Sequence, residues 1–231
     1  MLRMIGAVTP AMALAMALPA APALAQNWNA EIEQTEKGYM LGDPEAPLQL
    51  VEFVSYTCPH CAEFESQAEA ELRYHYVHEG YAAVEVRHMI RNPIDLAAAM
   101  LTECGDPAKF FDNHRAVLAT QDEWIARAQG LSEGQRARWQ SGPLNSRLKA
   151  IASDLEFDEL MEQRGLSPSE ITACLNDASR AQAIVDLSES NVAEFQVPGT
   201  PSFVLNGALL EGVHTWPSLR EVLVAERTES E

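Results

Sequence analysis

Three segments of the chain carry the apolar patterns of β-strands. Residues Leu48 to Val54 are dominated by Leu, Val and Phe, and the run from Ala82 to Ile90 places Val84 and Val86 between polar residues. A shorter apolar run, Tyr39 to Leu41, precedes both of them. Apolar alternation with a period of two, rich in β-branched and aromatic residues, predicts a strand in each segment.

Helical patterns dominate the middle of the chain, from about Pro93 to Glu194. Within this stretch Ser167-Pro168-Ser169-Glu170 is a capping-box signature with proline at the first helical position, which predicts a helix start. Further on, Asn206-Gly207 follows the apolar run Ser202 to Leu205 and predicts a two-residue hairpin turn. An amphipathic pattern from Pro217 to Ala225 predicts a closing helix. The order of these elements indicates an α/β chain.

The segment Cys58-Pro59-His60-Cys61 lies between the strand that ends at Val54 and a helical pattern. Pro59 suits the first helical position, which makes Cys58 the residue that caps the helix. Free backbone N–H groups and the positive end of the helix dipole then favour the thiolate of Cys58, with a pKa of roughly 3.5 to 7.5. His60 can add an N–H group or a positive charge. Cys61, one turn further on, is predicted to be the buried resolving thiol.

A Cys-x-x-Cys motif has two other common uses. A Cys-x-x-Cys pair can be half of a zinc site, but Cys104 and Cys174 are isolated from each other and form no second pair at ligand spacing. A purely structural disulfide within one helical turn would be strained, which favours a labile, working bond. The sequence therefore predicts thiol–disulfide exchange by the cysteines themselves, with no metal and no other cofactor.

The first 25 residues have the pattern of a signal peptide. Arg3 supplies a positive start, Met4 to Leu18 form an apolar stretch, and Ala23-Leu24-Ala25 offers a cleavage site that makes Gln26 the first mature residue. An uncleaved membrane anchor is the alternative, although the stretch falls short of the roughly 20 residues that a span needs. We therefore expect the mature chain to be exported. The formal net charge of −18 disfavours nucleic acid as a partner.

The segment from Glu52 to Glu65, the later segment Val197-Pro198-Gly199-Thr200-Pro201-Ser202-Phe203 and the export signal together resemble the DsbA-like branch of the thioredoxin superfamily. These periplasmic enzymes introduce disulfides into exported proteins. The resemblance covers nearly all of the mature chain and implies an α/β thioredoxin fold with an inserted all-helical subdomain. Residues 1–25 would be the signal peptide, 26–91 the first part of the thioredoxin fold, 92–180 the helical insertion, and 181–231 the second part with the hairpin and last helix.

The resemblance also implies roles for residues outside the motif. Gly199, Thr200 and Pro201 match the cis-proline loop, whose backbone can pair with an extended substrate as an added strand. Glu52 shares a strand face with Leu50 and is expected to point inward with a raised pKa, where it could relay the proton of Cys61. A solvated glutamate at the edge of the strand is the alternative.

The remaining cysteines, Cys104 and Cys174, both fall in the helical stretch of a chain expected to be exported. Leftover thiols tend to be oxidised in that environment, which predicts a structural disulfide between them. Two free buried cysteines are the alternative. Among the aromatic residues, Tyr56, Phe64, Phe203 and Trp216 could rim a peptide groove, although core packing is the commoner fate of such side chains.

The favoured function is an oxidase that donates the Cys58–Cys61 disulfide to unfolded or folding exported proteins through a mixed disulfide, and is reoxidised by a membrane partner resembling DsbB. An isomerase or reductase of the same superfamily is the first alternative, because the hydroxyl of Thr200 could stabilise the disulfide. A non-catalytic periplasmic chaperone is the second. Only about a dozen residues, Gln26 to Gly38, precede the first predicted strand, whereas the homodimeric isomerases carry a dimerisation domain there, so a monomer is expected.

Overall fold

One mixed β-sheet forms the centre of the protein. The computed structural model describes residues 27–230, so the predicted signal peptide at residues 1–25 lies outside the described residues. The strands are β1 (Ile32–Gln34), β2 (Tyr39–Gly42), β3 (Leu48–Val54), β4 (Ala82–His88), β5 (Ser202–Leu205) and β6 (Ala208–Leu209). Their order is β1-β2-β4-β3-β5-β6, and only β3 and β4 pair in parallel. Strand β3, which leads to the cysteine motif, therefore lies between two other strands.

The two faces of β3 are buried against different helices. Leu50 stands opposite Val84 of β4 and Leu205 of β5, and all three belong to the main core. Phe53, on the other face, belongs to a smaller cluster with Val204. Because side chains alternate along a strand, Glu52 shares the face of Leu50. A charged residue in the middle of β3 is thus directed into the main core.

Ten helices complete the part of the chain that the structure describes. They are α1 (Pro59–Leu72), α2 (Pro93–Thr102), α3 (Phe110–Ala119), α4 (Gln121–Gly130), α5 (Glu133–Gln140), α6 (Leu144–Asp154), α7 (Phe157–Gln163), α8 (Pro168–Asn176), α9 (Ala178–Phe195) and α10 (Trp216–Ser230). Helix α1 continues into a π-helical turn, Arg73–Val77. Within residues 27–230, no helix is both long enough and apolar enough to cross a bilayer.

Local signals in the sequence place several of these elements correctly. The capping box predicted at Ser167 is present, with reciprocal hydrogen bonds between Ser167 and Glu170. The hairpin turn predicted at Asn206-Gly207 is also confirmed, and both residues have positive φ angles of 48° and 84°, as a type I′ turn requires. Helix α10 begins one residue before the predicted Pro217 and runs to Ser230.

Helices α2 to α9 lie between β4 and β5 and form the helical insertion. Helix α9 runs without a break from Ala178 to Phe195, so the predicted boundary at residue 180 falls inside a continuous helix. This helix packs on both α2 and β4, which ties the insertion to the sheet. In the structure a disulfide joins Cys104 to Cys174, whose Cα atoms are 6.0 Å apart.

Candidate active site

Cys58 is the residue that caps α1. Its backbone is extended, with φ −92° and ψ 115°, and Pro59 occupies the first turn of the helix. The residue is only 4% exposed, and Cys61, one turn inside α1, is fully buried. Both carry free thiols, and Sγ of Cys58, when protonated, donates to the carbonyl oxygen of Thr200 at 3.2 Å. The first cysteine thus lies at the N-terminal end of α1, and the second lies on its buried side.

The surroundings separate the pKa values of the two thiols. The neighbouring Cys61 thiol lowers the pKa of Cys58 to about 5, helped by the Thr200 side chain and the backbone N–H groups of Cys61 and His60, while burial opposes them. Burial raises the pKa of Cys61, and the adjacent Cys58 raises it further. At neutral pH the pair therefore consists of a thiolate at Cys58 and a protonated thiol at Cys61.

The imidazole of His60 points away from this pair. Its side chain is 73% exposed, and Nδ1 lies 3.6 Å from a carboxylate oxygen of Glu63. The backbone N–H of His60, rather than its ring, is the group that favours the Cys58 thiolate in this structure.

The loop before β5 lies against the cysteines. The peptide bond between Thr200 and Pro201 is cis. Oγ1 of Thr200 is buried and has no hydrogen-bond partner among the described residues, so it is available as a donor when Cys58 ionises. The loop is closed on one side by Ser202 Oγ, which donates to Gly199 O at 2.8 Å, and on the other by His214, whose Nδ1 lies 2.8 Å from Pro201 O.

Glu52 lies beneath the motif, between β3 and α1. It is 2% exposed, and its Oε1 has no hydrogen-bond partner within residues 27–230. Burial raises the pKa of Glu52 well above its usual range, and the carboxylate of Glu65 raises it further. The pKa of Glu65 is itself raised to about 7 by burial, against the pull of Arg115. The inward orientation that the strand pattern predicts is observed, and the solvated alternative is not.

A small cavity links these two carboxyl groups to the face of α1. It has a volume of about 30 Å³ and is lined by Glu52, Glu65, Arg73, His114 and Arg115 among others. That volume is enough for one water molecule, and the lining offers polar partners for it. The cavity therefore places polar groups and room for one water molecule beside both Glu52 and Glu65.

Two residues of the insertion hold the loop before Cys58, and the sequence analysis missed both. Asp95, fully buried in the first turn of α2, accepts hydrogen bonds from Ser55 Oγ at 2.9 Å and from the backbone N–H of Thr57 at 2.8 Å. Nε2 of Gln121 donates to the carbonyl oxygens of Tyr56 at 2.6 Å and Cys58 at 2.9 Å. The Asn92-Pro93 pair predicts a helix start, and acidic residues such as Asp95 are favoured in the first turn of a helix. No local sequence pattern identifies Gln121.

The aromatic residues near the motif belong to the core. Tyr56, Phe64, Phe203 and Trp216 are all buried, which agrees with core packing rather than with the rim of a groove. Tyr56 OH lies 3.0 Å from Nδ1 of His114, and burial lowers the pKa of His114 to about 3. That histidine is therefore a neutral, structural partner of the tyrosine.

Both the sequence and the fold are similar to those of known proteins. The sequence model of the thioredoxin family matches residues 34–225. The structure resembles a protein-disulfide isomerase of Novosphingobium aromaticivorans with a TM-score of 0.77 at 42% identity, covering 80% of this chain and 95% of that one. It also resembles alpha-DsbA1 of Wolbachia pipientis, with a TM-score of 0.65 at 20% identity over 86% of this chain and 96% of that one.

A Rickettsia conorii protein named as a protein-disulfide oxidoreductase is 31% identical over 170 residues, which are 73% of this chain and 53% of the relative. The chain thus spans about half the length of that relative. The fold predicted from the sequence, a thioredoxin fold with an inserted helical subdomain, is confirmed, and so is the resemblance to DsbA-like proteins. The chain belongs to the thioredoxin family, and its fold is that of the DsbA-like members.

Proposed function

We propose that the protein is a thiol–disulfide oxidase that donates the Cys58–Cys61 disulfide to folding, exported proteins. The observation that carries this proposal is the environment of Cys58, whose pKa is about 5 at the start of α1. A stabilised thiolate stabilises the reduced form of the pair, so the disulfide becomes a stronger oxidant. Donation of the disulfide is then downhill.

The first step joins the client to Cys58. A client thiolate attacks Sγ of Cys58 and forms a mixed disulfide, while the Cys58–Cys61 bond breaks and its electron pair leaves on Cys61. Because burial raises the pKa of Cys61, the departing thiolate must take up a proton. Glu52, a buried acid with a raised pKa on the same side of the sheet, is the proposed donor of that proton.

The second step releases the product. A second client thiolate attacks the client's own sulfur in the mixed disulfide, which forms the client disulfide and expels Cys58 as its stable thiolate. Two electrons have then moved from the client dithiol to the cysteine pair. Glu52 regains its proton from solvent through Glu65 and the small cavity beside it.

The loop of Gly199, Thr200 and Pro201 is the proposed client-binding element. Thr200 O lies 3.2 Å from Sγ of Cys58, so a client strand paired with this loop would hold its sulfur beside Cys58. Asp95 and Gln121 act as positioning residues, because they fix the loop that carries Cys58 from the side of the insertion.

The proposed setting is the periplasm, reached through the signal pattern of residues 1–25. Reoxidation would come from a membrane-bound disulfide donor of the DsbB kind, and the enzyme would act as a monomer. The net charge of −18 is consistent with protein clients rather than nucleic acid.

Isomerase activity is the second candidate, and one observation favours it. The structural relative with 42% identity is named a protein-disulfide isomerase. An isomerase needs the cysteine pair reduced, whereas an oxidase needs it oxidised. The equilibrium between the oxidised and reduced forms of the Cys58–Cys61 pair therefore decides between oxidase and isomerase.

The test is the redox potential of the Cys58–Cys61 pair, measured against glutathione, together with two assays. We expect a potential more oxidising than the roughly −270 mV of thioredoxin, and faster oxidation of a reduced, unfolded protein than rescue of a scrambled one. Cys58→Ala should abolish both activities. A potential at or below that of thioredoxin, with strong rescue of scrambled protein, would favour the isomerase instead.

A further inference from the structure

The helical insertion contains an open groove of about 400 Å³ beside the start of α2. Apolar side chains line much of it, among them Ile94, Leu131 and Trp139. The indole of Trp139 is held by a hydrogen bond from Nε1 to Asp154 at 2.8 Å, which leaves the ring in place to pack against an occupant. The volume is that of a typical site for a few side chains or a small ligand. We call this site the insertion groove.

Two cations, Arg136 and Arg147, also line the insertion groove. Each makes a hydrogen bond to a backbone carbonyl: Arg136 to Leu131 O, and Nε of Arg147 to Trp139 O at 2.7 Å. Within residues 27–230, neither guanidinium has a carboxylate within 4.0 Å, although acidic residues outnumber basic ones by 34 to 16 in the chain. Each retains further N–H donors that can bind a carboxylate.

The insertion groove lies close to the reacting cysteine. Asn92 lines it, and Nδ2 of Asn92 donates to Oγ1 of Thr57 at 2.8 Å. Thr57 precedes Cys58 in the chain. Bond lengths then put the amide of Asn92 within about 9 Å of the Cys58 backbone, which about three residues of extended peptide can span.

We propose that the insertion groove binds the part of a client chain that flanks its reacting cysteine, and that it selects an apolar side chain next to a carboxylate. The apolar side chain packs on Trp139 and Leu131, and the carboxylate pairs with Arg136 and Arg147. This inference rests on the proposed function, since it requires a client joined to Cys58. The insertion groove would contact side chains of the client, whereas the Thr200 loop is proposed to pair with the client backbone.

The test uses three reduced peptides that each contain two cysteines. Between two and four residues after the first cysteine they carry leucine with glutamate, leucine with lysine, or only glycine and serine. The oxidised protein is mixed with each peptide at 0.15 M salt, where charges separated by more than about 8 Å are largely screened. The rate at which the peptide reduces the Cys58–Cys61 bond is followed. We expect the leucine–glutamate peptide to react about fivefold faster than either of the others.

Arg136→Gln should remove most of the preference for glutamate, and Arg136→Glu should reverse it in favour of lysine. Lys149→Gln is the matched control, because it removes the same charge from the insertion and does not line the groove. It should leave the order of the three rates unchanged. The reversal with Arg136→Glu cannot arise from a loss of folding, which would slow all three peptides alike.

Equal rates for the three peptides, or an unchanged order in Arg136→Glu, would overturn the assignment of the groove while leaving the oxidase proposal intact. A wild-type protein that oxidises none of the peptides would overturn the oxidase proposal and the groove with it. Sedimentation of the wild type and of Arg136→Glu completes the test. A dimer that the substitution dissociates would assign the groove to a second copy of the chain and refute our proposal.

Discussion

Nε2 of Gln121 lies 2.9 Å from the carbonyl oxygen of Cys58, although 63 residues separate the two along the chain. The same amide group donates to Tyr56 O, so one buried side chain satisfies two carbonyls of the active-site loop. These bonds make the geometry of the thioredoxin part depend on the insertion.

Gln121→Ala should therefore lower the free energy of unfolding by about 2 kcal/mol, because two buried acceptors lose their donor. It should also alter the rate at which Cys58 is alkylated at neutral pH. Urea unfolding and iodoacetamide labelling measure the two effects. Gln182→Ala is the control, since Gln182 is exposed and its side chain bonds to Asp186 on the same helix, and it should change stability by less than about 0.5 kcal/mol. Equal losses in the two variants would contradict the positioning role of Gln121.

The low pKa of Cys58 predicts how the stability of the reduced protein depends on pH. The pKa is about 5 in the folded protein and about 8.5 in an unfolded chain. Between these values the unfolded state binds more protons, so the stability of the reduced form rises with pH across this window and is lost as pH falls through about 5. The oxidised form has no titrating thiol in its active site and supplies the reference.

Urea unfolding of both forms at pH 5 and pH 8 tests this expectation. From pH 5 to pH 8, the free energy of unfolding of the reduced form should rise relative to that of the oxidised form by on the order of 1 to 3 kcal/mol. Cys58→Ser, which cannot form the active-site disulfide and is compared with the oxidised wild type, should show no such gain. A gain equal to that of the wild type in Cys58→Ser would place the titrating group elsewhere.

Glu52 predicts the opposite dependence of protein stability on pH. Because its pKa in the folded protein is raised above the usual value of about 4.3, the folded state holds the proton more tightly. The stability that this proton contributes is complete below about pH 4.3 and declines as pH rises. Glu65, with a pKa of about 7, adds to the decline up to neutral pH.

In the oxidised form, Glu52→Gln should therefore show a smaller loss of stability between pH 4.5 and pH 8 than the wild type. Glu63→Gln, on the exposed face of α1, is the control and should retain the wild-type slope. The measurement is again urea unfolding, over a series of pH values. Identical slopes in all three proteins would show that Glu52 does not titrate as a buried acid.

The disulfide between Cys104 and Cys174 closes a loop of 70 residues. Loop-closure entropy gives a bond of this kind a contribution on the order of 4 kcal/mol. We expect the double substitution Cys104→Ala and Cys174→Ala to lower the thermal midpoint strongly while leaving the redox potential of the Cys58 pair unchanged. Peptide mapping without reduction should recover the linked peptides from the wild type, and two free thiols there would end the prediction.

Residues that act through local signals could be predicted from the sequence. The cap at Cys58, the capping box at Ser167 and the Asn206-Gly207 turn each depend on a few neighbouring residues, and the structure contains all three. Strand β1 was missed, because its three residues lie at the sheet edge and none of them is fully buried. A short edge strand with no apolar alternation has no period to detect.

The hydrogen bonds that hold the loop before Cys58 could not be predicted from local sequence patterns. Asp95 meets Thr57 across 38 residues, and Gln121 meets Tyr56 across 65. In these two contacts the partner is a backbone atom, which leaves no complementary residue type in the sequence. The groove-lining Arg136 and Arg147 likewise differ from other arginines only in what the fold places beside them.

Four cysteines can pair in three ways, and a newly made copy of this protein has to choose among them. The bond from Cys104 to Cys174 excludes the two arrangements in which the insertion would capture Cys58 or Cys61. In either of those arrangements Cys58 would be bonded to a cysteine of the insertion and could not exchange with Cys61. On the proposed function, the chain therefore has to form the Cys104–Cys174 bond correctly before its Cys58–Cys61 disulfide can be donated to a client.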